Sequence, residues 1–325
     1  MPSNAASPSP HAPAREGGTA IDSPADVVAP PRGGRDWLWI MLVANLVGNA
    51  AIILTGGLVR LTGSGLGCPT WPECVPGSVV PVAGQAQGFH KFIEFGNRLM
   101  SPVLVAIAAA LLVIAWRRYR VTRRRFALEC MVPFVFVWVQ AILGGIIVLA
   151  KLDAKTVSPH FAISIFLVAN ATYLLYRYRE GDGPVRLLVP QVVQRLAWVA
   201  AAVGAVVVVL GTAVTGSGPH SGDKDHQIRF GFDPRATSWL HADSVMLFVG
   251  LVVALVVAAR LVDVPPAFRR SWDWVLGISL AEGLIGYLQY FTGRPIALVA
   301  LHLLVSAILT AVLTAGLMTA RRRAD

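Results

Sequence analysis

The sequence predicts an all-α integral membrane protein whose eight transmembrane helices form two tandem, pseudo-equivalent four-helix bundles. Of its 325 residues, 55% are apolar and 14% are charged, whereas about 25% of the residues in soluble domains are charged. The apolar residues fall into eight runs of roughly 17 to 25 residues, the length that crosses a bilayer. Four-residue and longer sequence repeats relate the two halves. These features exclude a soluble globular enzyme.

Each apolar run is predicted to form one helix. The second, fourth, sixth and eighth runs end at short basic segments, and a Thr-Gly-Ser-Gly string that favours a tight turn follows the first and the fifth. Before the first run, residues 1–36 are rich in Pro, Ala, Ser and Gly and are predicted to be a disordered cytoplasmic tail. The bundles are predicted to cover 37–180 and 195–320. The predicted helices are 37–55, 99–116, 126–149, 157–176, 196–215, 239–259, 272–291 and 296–319.

The distribution of Lys and Arg predicts the orientation of the helices. Both chain ends and the gaps after the second, fourth and sixth helices together carry 19 of the 28 basic residues. Because basic loops stay on the cytoplasmic side, both termini are predicted to be cytoplasmic, with the chain in the cell membrane. The net charge of +10 is thereby explained as a topology signal. It does not indicate a nucleic-acid partner.

Internal repeats indicate a duplicated four-helix unit. The string TGSG at 62–65 returns at 215–218, and 140–160 aligns without a gap on 282–302, both segments ending on His. An even number of helices in each unit gives both copies the same orientation, unlike the inverted repeats of many transporters. Two such bundles can hold two similar sites that face the same side of the membrane.

Candidate ligand residues stand at the start of the even-numbered helices. Any one of these histidines is well explained by a hydrogen bond to a neighbouring helix or a headgroup. Imidazole pairs on opposed helices of an apolar bundle nevertheless suit the two axial positions of a heme iron. Zinc is disfavoured because a closed zinc site needs four nitrogen or sulfur ligands. The candidates are the cluster His90, Glu94 and Asn97, followed by His160, His241 and His302.

Six motifs resemble those of the heme A synthase family. The strings GGLVRLTGSG at 56–65 and CPTWPEC at 68–74 are similar to the first outer loop of that family. IEFGNR at 93–98, TGSGPH at 215–220, LHAD at 240–243 and QYFTG at 289–293 match in the same order. The resemblance covers nearly everything after the N-terminal tail.

This resemblance implies a membrane enzyme that oxidises the C8 methyl group of heme O to a formyl group, which yields heme A for cytochrome oxidase. In that family the N-terminal bundle takes the substrate heme O and the C-terminal bundle holds heme B as a cofactor. His241 and His302 match the heme B ligands, and His160 matches one ligand of the substrate heme. The implied partners are a heme O synthase, cytochrome oxidase assembly, an unidentified electron donor and membrane lipid.

One position departs from the family pattern. The family pattern in the second helix is Glu, any two residues, His and then Arg. Here Asn97 occupies the position of that His. An amide binds iron poorly, so either the iron is held from one side or His90 substitutes. His90 lies about 10 Å along the helix from Asn97, and an interfacial His is the alternative. A non-catalytic b-type membrane cytochrome that passes electrons would also explain the missing ligand.

Charged residues of the outer loop and of the second helix complete the candidate site. Glu94 keeps the acidic position of the family and is predicted to be catalytic, managing protons beside the substrate heme. The alternative for Glu94 is an ion pair with Lys91 or Arg98 at helical spacing. Arg60 and Arg98 are predicted to bind heme propionates, since both lie at the outer membrane edge.

The two cysteines of the outer loop are predicted to form a disulfide. Cys68 and Cys74 lie on the side of the membrane where an oxidising compartment permits that bond. A structural role over the N-terminal site and a redox role both remain open. Cys130 is predicted to be a buried small hydrophobe, and the loop residues His220 and His226 are predicted to be solvated.

Overall fold

The structure of the protein is a computed structural model that describes residues 36–220, 222–223, 225 and 227–323. Residues 1–35 of the predicted tail lie outside the described residues, as does His226. Two short strands, β1 (Val185–Leu187) and β2 (Arg321–Arg323), accompany the helices. The helices are α1 (Trp37–Leu61), α2 (His90–Tyr119), α3 (Arg124–Glu129), α4 (Met131–Leu149), α5 (Ala154–Arg179), α6 (Gln191–Ser217), α7 (Pro234–Leu261), α8 (Pro266–Phe291) and α9 (Ile296–Thr319).

The helices contain the predicted apolar runs and extend beyond most of them. α2, for example, begins at His90 where the apolar run begins at 99. A helix continues past its apolar run because its backbone groups stay hydrogen-bonded within the helix up to the membrane edge. The third predicted helix is divided at Cys130 into the short α3 and the longer α4. Cys130 itself is fully buried and free, as predicted.

Seven helical segments of the described chain are long and apolar enough to cross a membrane, counting Arg124–Leu149 as one. The fold is therefore that of an all-α, multi-pass membrane protein, as predicted. Of the long helices only α8 falls outside this set, although it has 26 residues. Arg269, Arg270, Asp273 and Glu282 reduce its apolar character. The predicted span 272–291 therefore lies in a helix that is not apolar enough to be counted among these segments.

In each half, every long helix packs against two others, so that the four form a closed ring. In the first half, α1 packs against α2 and α5, and α4 packs against the same two helices. In the second half, α6 packs on α7, α7 on α8, α8 on α9, and α9 also contacts α6. α9 joins the halves by packing against α1 and α5. The apolar core between the halves includes Ile53, Ile165, Val168 and Ala307.

One turn of the backbone is repeated at equivalent positions of the two halves. Lys151 and Leu152, between α4 and α5, have φ angles of 55° and 63°. Gly293 and Arg294, between α8 and α9, have φ angles of 81° and 62°. The gapless alignment of 140–160 on 282–302 pairs these residues in order. Residues other than glycine rarely adopt this left-handed conformation, so its occurrence at both equivalent turns supports the repeat. The repeat is thus visible in the backbone even where the side chains differ.

An ionic cluster and a two-stranded sheet lie where α5 and α9 end. The buried guanidinium of Arg177 lies 3.0 Å from Glu129 Oε2 and 2.8 Å from Asp182 Oδ1. Next to it, β1 in the connection between the halves pairs antiparallel with β2 at the end of α9. Sequence analysis did not predict this sheet, because three-residue strands are too short to show an alternating pattern.

Candidate functional site

The second half contains two of the predicted ligands, His241 on α7 and His302 on α9. His241 Nδ1 lies 3.1 Å from the carbonyl oxygen of Val207 on α6. His302 Nδ1 lies 3.2 Å from Oε1 of Glu282 on α8. A carbonyl oxygen thus lies beside Nδ1 of His241 and a carboxylate beside Nδ1 of His302, which leaves Nε2 of each ring as the nitrogen for a metal, the usual arrangement of a ligating histidine.

Both rings lie against bare backbone. A Cβ added to Gly211 on α6 would come within 3.3 Å of His241 Cε1. A Cβ added to Gly286 on α8 would lie 3.6 Å from His302 Cε1. Side chains larger than alanine at these glycines would therefore compete with the imidazoles for space. The polar oxygens beside the two Nδ1 atoms suit the axial ligation of a heme.

The first half repeats this glycine contact at its two candidate positions. A Cβ on Gly144 of α4 would lie 3.8 Å from His160 Cε1, and one on Gly56 of α1 would lie 3.9 Å from Asn97 Oδ1. A glycine of the preceding long helix thus faces each of His160, Asn97, His241 and His302. The sequence contains these glycines, but which face of each helix meets the histidine becomes evident only from the packing.

His160 differs from His241 in its surroundings. Its Nδ1 is buried and has no hydrogen-bond partner among the described residues. Gln140 on α4 donates to the carbonyl oxygen of His160 at 3.0 Å and to Ser164 Oγ at 2.6 Å. Because buried polar atoms normally have a partner, the free Nδ1 of His160 marks a place for another group to bind or for the ring to turn.

Asn97 and His90 occupy separate environments on α2. Asn97 Oδ1 accepts a hydrogen bond of 2.8 Å from Thr55 Oγ1 on α1. His90 is the first residue of α2, and its Nδ1 lies 2.8 Å from Ser64 Oγ in the outer loop. The helix extends back to His90, which places the ring about 10 Å along the axis from Asn97.

Glu94 fastens the outer loop to α2. Its Oε2 accepts from the backbone N–H of Cys68 at 2.7 Å, and its Oε1 accepts from Arg98 Nη2 at 2.7 Å. The same Nη2 donates to the carbonyl oxygens of Cys68 at 2.6 Å and Thr70 at 3.0 Å. Lys91 instead reaches the carbonyl oxygen of Val82. Only 6% of the Glu94 side chain is exposed, so this ion pair with Arg98 is not a surface pair.

The loop held by Glu94 carries the predicted disulfide. Cys68 and Cys74 are bonded to each other, and both are fully buried. Between them, Trp71 lies on α4, where a Cβ on Gly145 would come within 2.5 Å of its ring. The Trp71–Pro72 peptide bond is cis. Trp71 therefore covers the position next to Gly144, the glycine that faces His160, and sequence analysis assigned it no role.

Arg60 connects the two halves on the same side of the molecule. Its Nε donates to the carbonyl oxygen of His220 at 2.6 Å, and its Nη2 donates to that of Thr215 at 2.8 Å. His220 Nε2 in turn lies 3.2 Å from the carbonyl oxygen of Arg294. The ends of α1 and α6 and the loop after α8 are thereby joined. The ring of His220, which was predicted to be solvated, is half-buried and takes part in the junction.

Comparison with known proteins identifies the family. The model of the COX15-CtaA family, described as cytochrome oxidase assembly protein, matches residues 36–220, more than half of the chain. The chain belongs to this family. Heme A synthases of Bacillus cereus strain G9842 and Bacillus anthracis strain A0248 are 25% and 26% identical to it over 289 residues. In both cases the match covers 85% of this chain and 90% of the relative.

These matches confirm the family that the motifs indicated. For this COX15-CtaA member, the family match spans all of the first half and ends at residue 220. His241 and His302 lie beyond it. Their interpretation as ligands therefore depends on the polar oxygens beside both Nδ1 atoms and on the facing glycines.

Proposed function

We propose that the chain is a heme A synthase that oxidises the C8 methyl group of heme O to a formyl group and so provides heme A for cytochrome oxidase. The observation that carries the proposal is the placement of His241 and His302, each with a polar oxygen beside Nδ1 and a glycine of the neighbouring helix beside the ring. Membership of the COX15-CtaA family and the curated relatives named heme A synthase support it.

We propose that the two halves act as tandem bundles, 37–180 for the substrate heme and 195–320 for heme B. The closed ring of helices in each half and the repeated left-handed turn support this division. The second bundle would hold heme B between His241 and His302. When bound there, heme B supplies reversible one-electron transfer.

In the first bundle, His160 is the proposed ligand of heme O. The position that faces Gly56 belongs to Asn97, whose amide is a poor iron ligand, and His90 is the proposed second ligand on α2. Nε2 of His90 is available because its Nδ1 contacts Ser64. Trp71 and the disulfide loop would exclude water from this site on the outer side.

Glu94 is the proposed catalytic carboxylate. Conversion of a methyl to a formyl group removes hydrogen and adds oxygen, so protons must leave the edge of the porphyrin. Glu94 is nearly enclosed, and its partner Arg98 supplies a counter-charge. Release of one hydrogen bond from Cys68 N or Arg98 would free a carboxylate oxygen to accept a proton. Arg98 and Arg60 remain the proposed partners of the heme propionates.

The cell membrane is the proposed location, with both termini cytoplasmic because the basic residues concentrate on that side. A heme O synthase in the same membrane would supply the substrate, cytochrome oxidase assembly would take the product, and lipid surrounds the helices. An electron donor, which is not identified, is a further proposed partner.

The test is to express the chain together with a heme O synthase, extract the hemes and separate them by chromatography with mass detection. We expect heme A from the wild type and its loss in Glu94→Ala. Glu73→Ala is the matched control, because Glu73 lies in the outer loop that Glu94 holds, and its side chain accepts from Gly77 N instead of from Cys68 N. Heme B with unconverted heme O in the wild type would refute the synthase and favour a b-type membrane cytochrome that only passes electrons.

A further inference from the structure

Glu282 is a buried acidic residue that the proposed reaction does not use. It lies within α8, and 8% of the residue is exposed. Its Oε1 is 3.2 Å from His302 Nδ1. Neither carboxylate oxygen, nor this Nδ1, makes a hydrogen bond of good geometry with any described residue. Two buried polar groups without other partners thus face each other at ion-pair distance.

The first half lacks this pair. The repeat alignment places Gln140 at the position of Glu282 and His160 at that of His302. Gln140 bonds to the carbonyl oxygen of His160 and to Ser164, and His160 Nδ1 stays without a partner among the described residues. One carboxylate therefore distinguishes the surroundings of two otherwise equivalent histidines.

Burial of a carboxylate among apolar helices is costly, and such residues usually serve a function and have a partner. A carboxylate beside Nδ1–H fixes the orientation of a ligating imidazole and raises the electron-donating strength of its Nε2. His302 is the group that Glu282 faces, and His241 is the charged or titratable neighbour of His302 across the bundle.

We propose that Glu282 is a positioning residue for His302. By accepting the Nδ1–H of His302, it strengthens the bond from Nε2 to a heme iron and makes the second-half heme a retained, low-potential group. His160 lacks such a carboxylate and holds its heme less firmly, which suits a substrate that must leave as product. This inference rests on the proposed heme site between His241 and His302.

The test measures the midpoint potential and the heme retention of the purified full-length protein and its Glu282→Gln variant. A carboxylate favours the ferric iron over the ferrous iron, so its loss should raise the potential. A tenfold change in the ferric-to-ferrous binding ratio corresponds to about 59 mV for one electron. Loss of a partner of this type typically weakens metal binding about 10- to 100-fold, so heme should also dissociate faster.

Controls separate the inference from the proposed function. Gln140→Glu is the matched variant, and it should leave the potential of the second-half heme unchanged. Glu282→Asp keeps the charge and should retain more of the wild-type potential and electron paramagnetic resonance spectrum than Glu282→Gln, so it replaces that variant if the latter fails to fold. An unchanged potential and spectrum in Glu282→Gln at full heme content would overturn the inference. Retained heme in both His241→Ala and His302→Ala would instead overturn the heme site itself.

Discussion

Gly145 on α4 lies directly beneath the ring of Trp71 in the outer loop. A Cβ on Gly145 would come within 2.5 Å of Trp71 Cδ2 and 2.6 Å of Cε2. The disulfide between Cys68 and Cys74 closes the short segment that carries Trp71, and Glu94 and Arg98 fasten that segment to α2. The loop is therefore bound to two helices of the first half at once.

Gly145→Ala should lift Trp71 from α4. Overpacking of this kind costs about 1–3 kcal/mol, and the ring has to move away because the helix backbone cannot. We expect less heme A with an unchanged amount of heme B, measured on extracted hemes. Gly250→Ala is the control, since a Cβ there meets nothing within 4 Å. Equal heme A in both variants would mean that the seat of Trp71 is unimportant for the reaction.

Gly211→Ala should act on the second half. The new Cβ would lie 3.3 Å from His241 Cε1, so the imidazole has to shift by a few tenths of an ångström. We expect a lower heme B content and a changed absorption spectrum of the reduced protein. Gly277→Ala again provides an open position for comparison. A wild-type spectrum in Gly211→Ala would contradict the placement of His241 as a ligand.

Asn97→His should supply an imidazole at the position that faces Gly56. With His90 as the native second ligand, His90→Ala is expected to convert the heme O complex from low spin to high spin. Adding Asn97→His to His90→Ala should restore the low-spin state, as measured by absorption and electron paramagnetic resonance. If His90→Ala alone keeps the low-spin spectrum, His90 is an interfacial residue and not a ligand.

The surroundings of Asp182, which lies outside the spanning segments, predict how the stability of the folded protein depends on pH. Partial burial alone would raise the pKa of its carboxyl, but the hydrogen bond and charge of Arg177 hold it below the ordinary value of 3.8. A carboxyl with a lowered pKa stabilises the folded state above its unfolded pKa, and that contribution is lost as the pH falls through the folded value. The unfolding temperature in detergent should therefore drop between about pH 5 and about pH 3.

In Asp182→Asn this drop should be smaller, because the charge is already absent at the higher pH. Asp273→Asn is the matched control, since its carboxylate lies in an exposed pair with Arg260 that contributes little. The interpretation fails if Asp182→Asn and the wild type lose stability in parallel.

Hydropathy predicted the helices well and their ends less well. Apolar runs identify the part of a helix that lies in lipid, so Ile296–Thr319 was predicted to the residue, whereas the polar first turns of α2 were missed. The sheet of β1 and β2 was missed because its two strands are far apart in the chain and have only three residues each.

For the candidate site, the sequence indicates residue types but not their neighbours. The depth of His241 and His302 follows from their place at the helix starts. That Val207 and Glu282 lie beside their Nδ1 atoms depends on the rotation of α6 and α8, which hydropathy does not determine. One signal for Glu282 was nevertheless present, since an acidic residue stands within an apolar run and aligns with Gln140.

The pairing of β1 with β2 has a consequence for the biogenesis of the protein. β2 follows the last helix, and its Arg321 and Arg323 lie 3.8 and 3.9 Å from Glu180 in the connection between the halves. That connection leaves the ribosome long before its partner strand is synthesised. The contacts of this sheet between the halves can therefore form only after α9 and β2 have been synthesised.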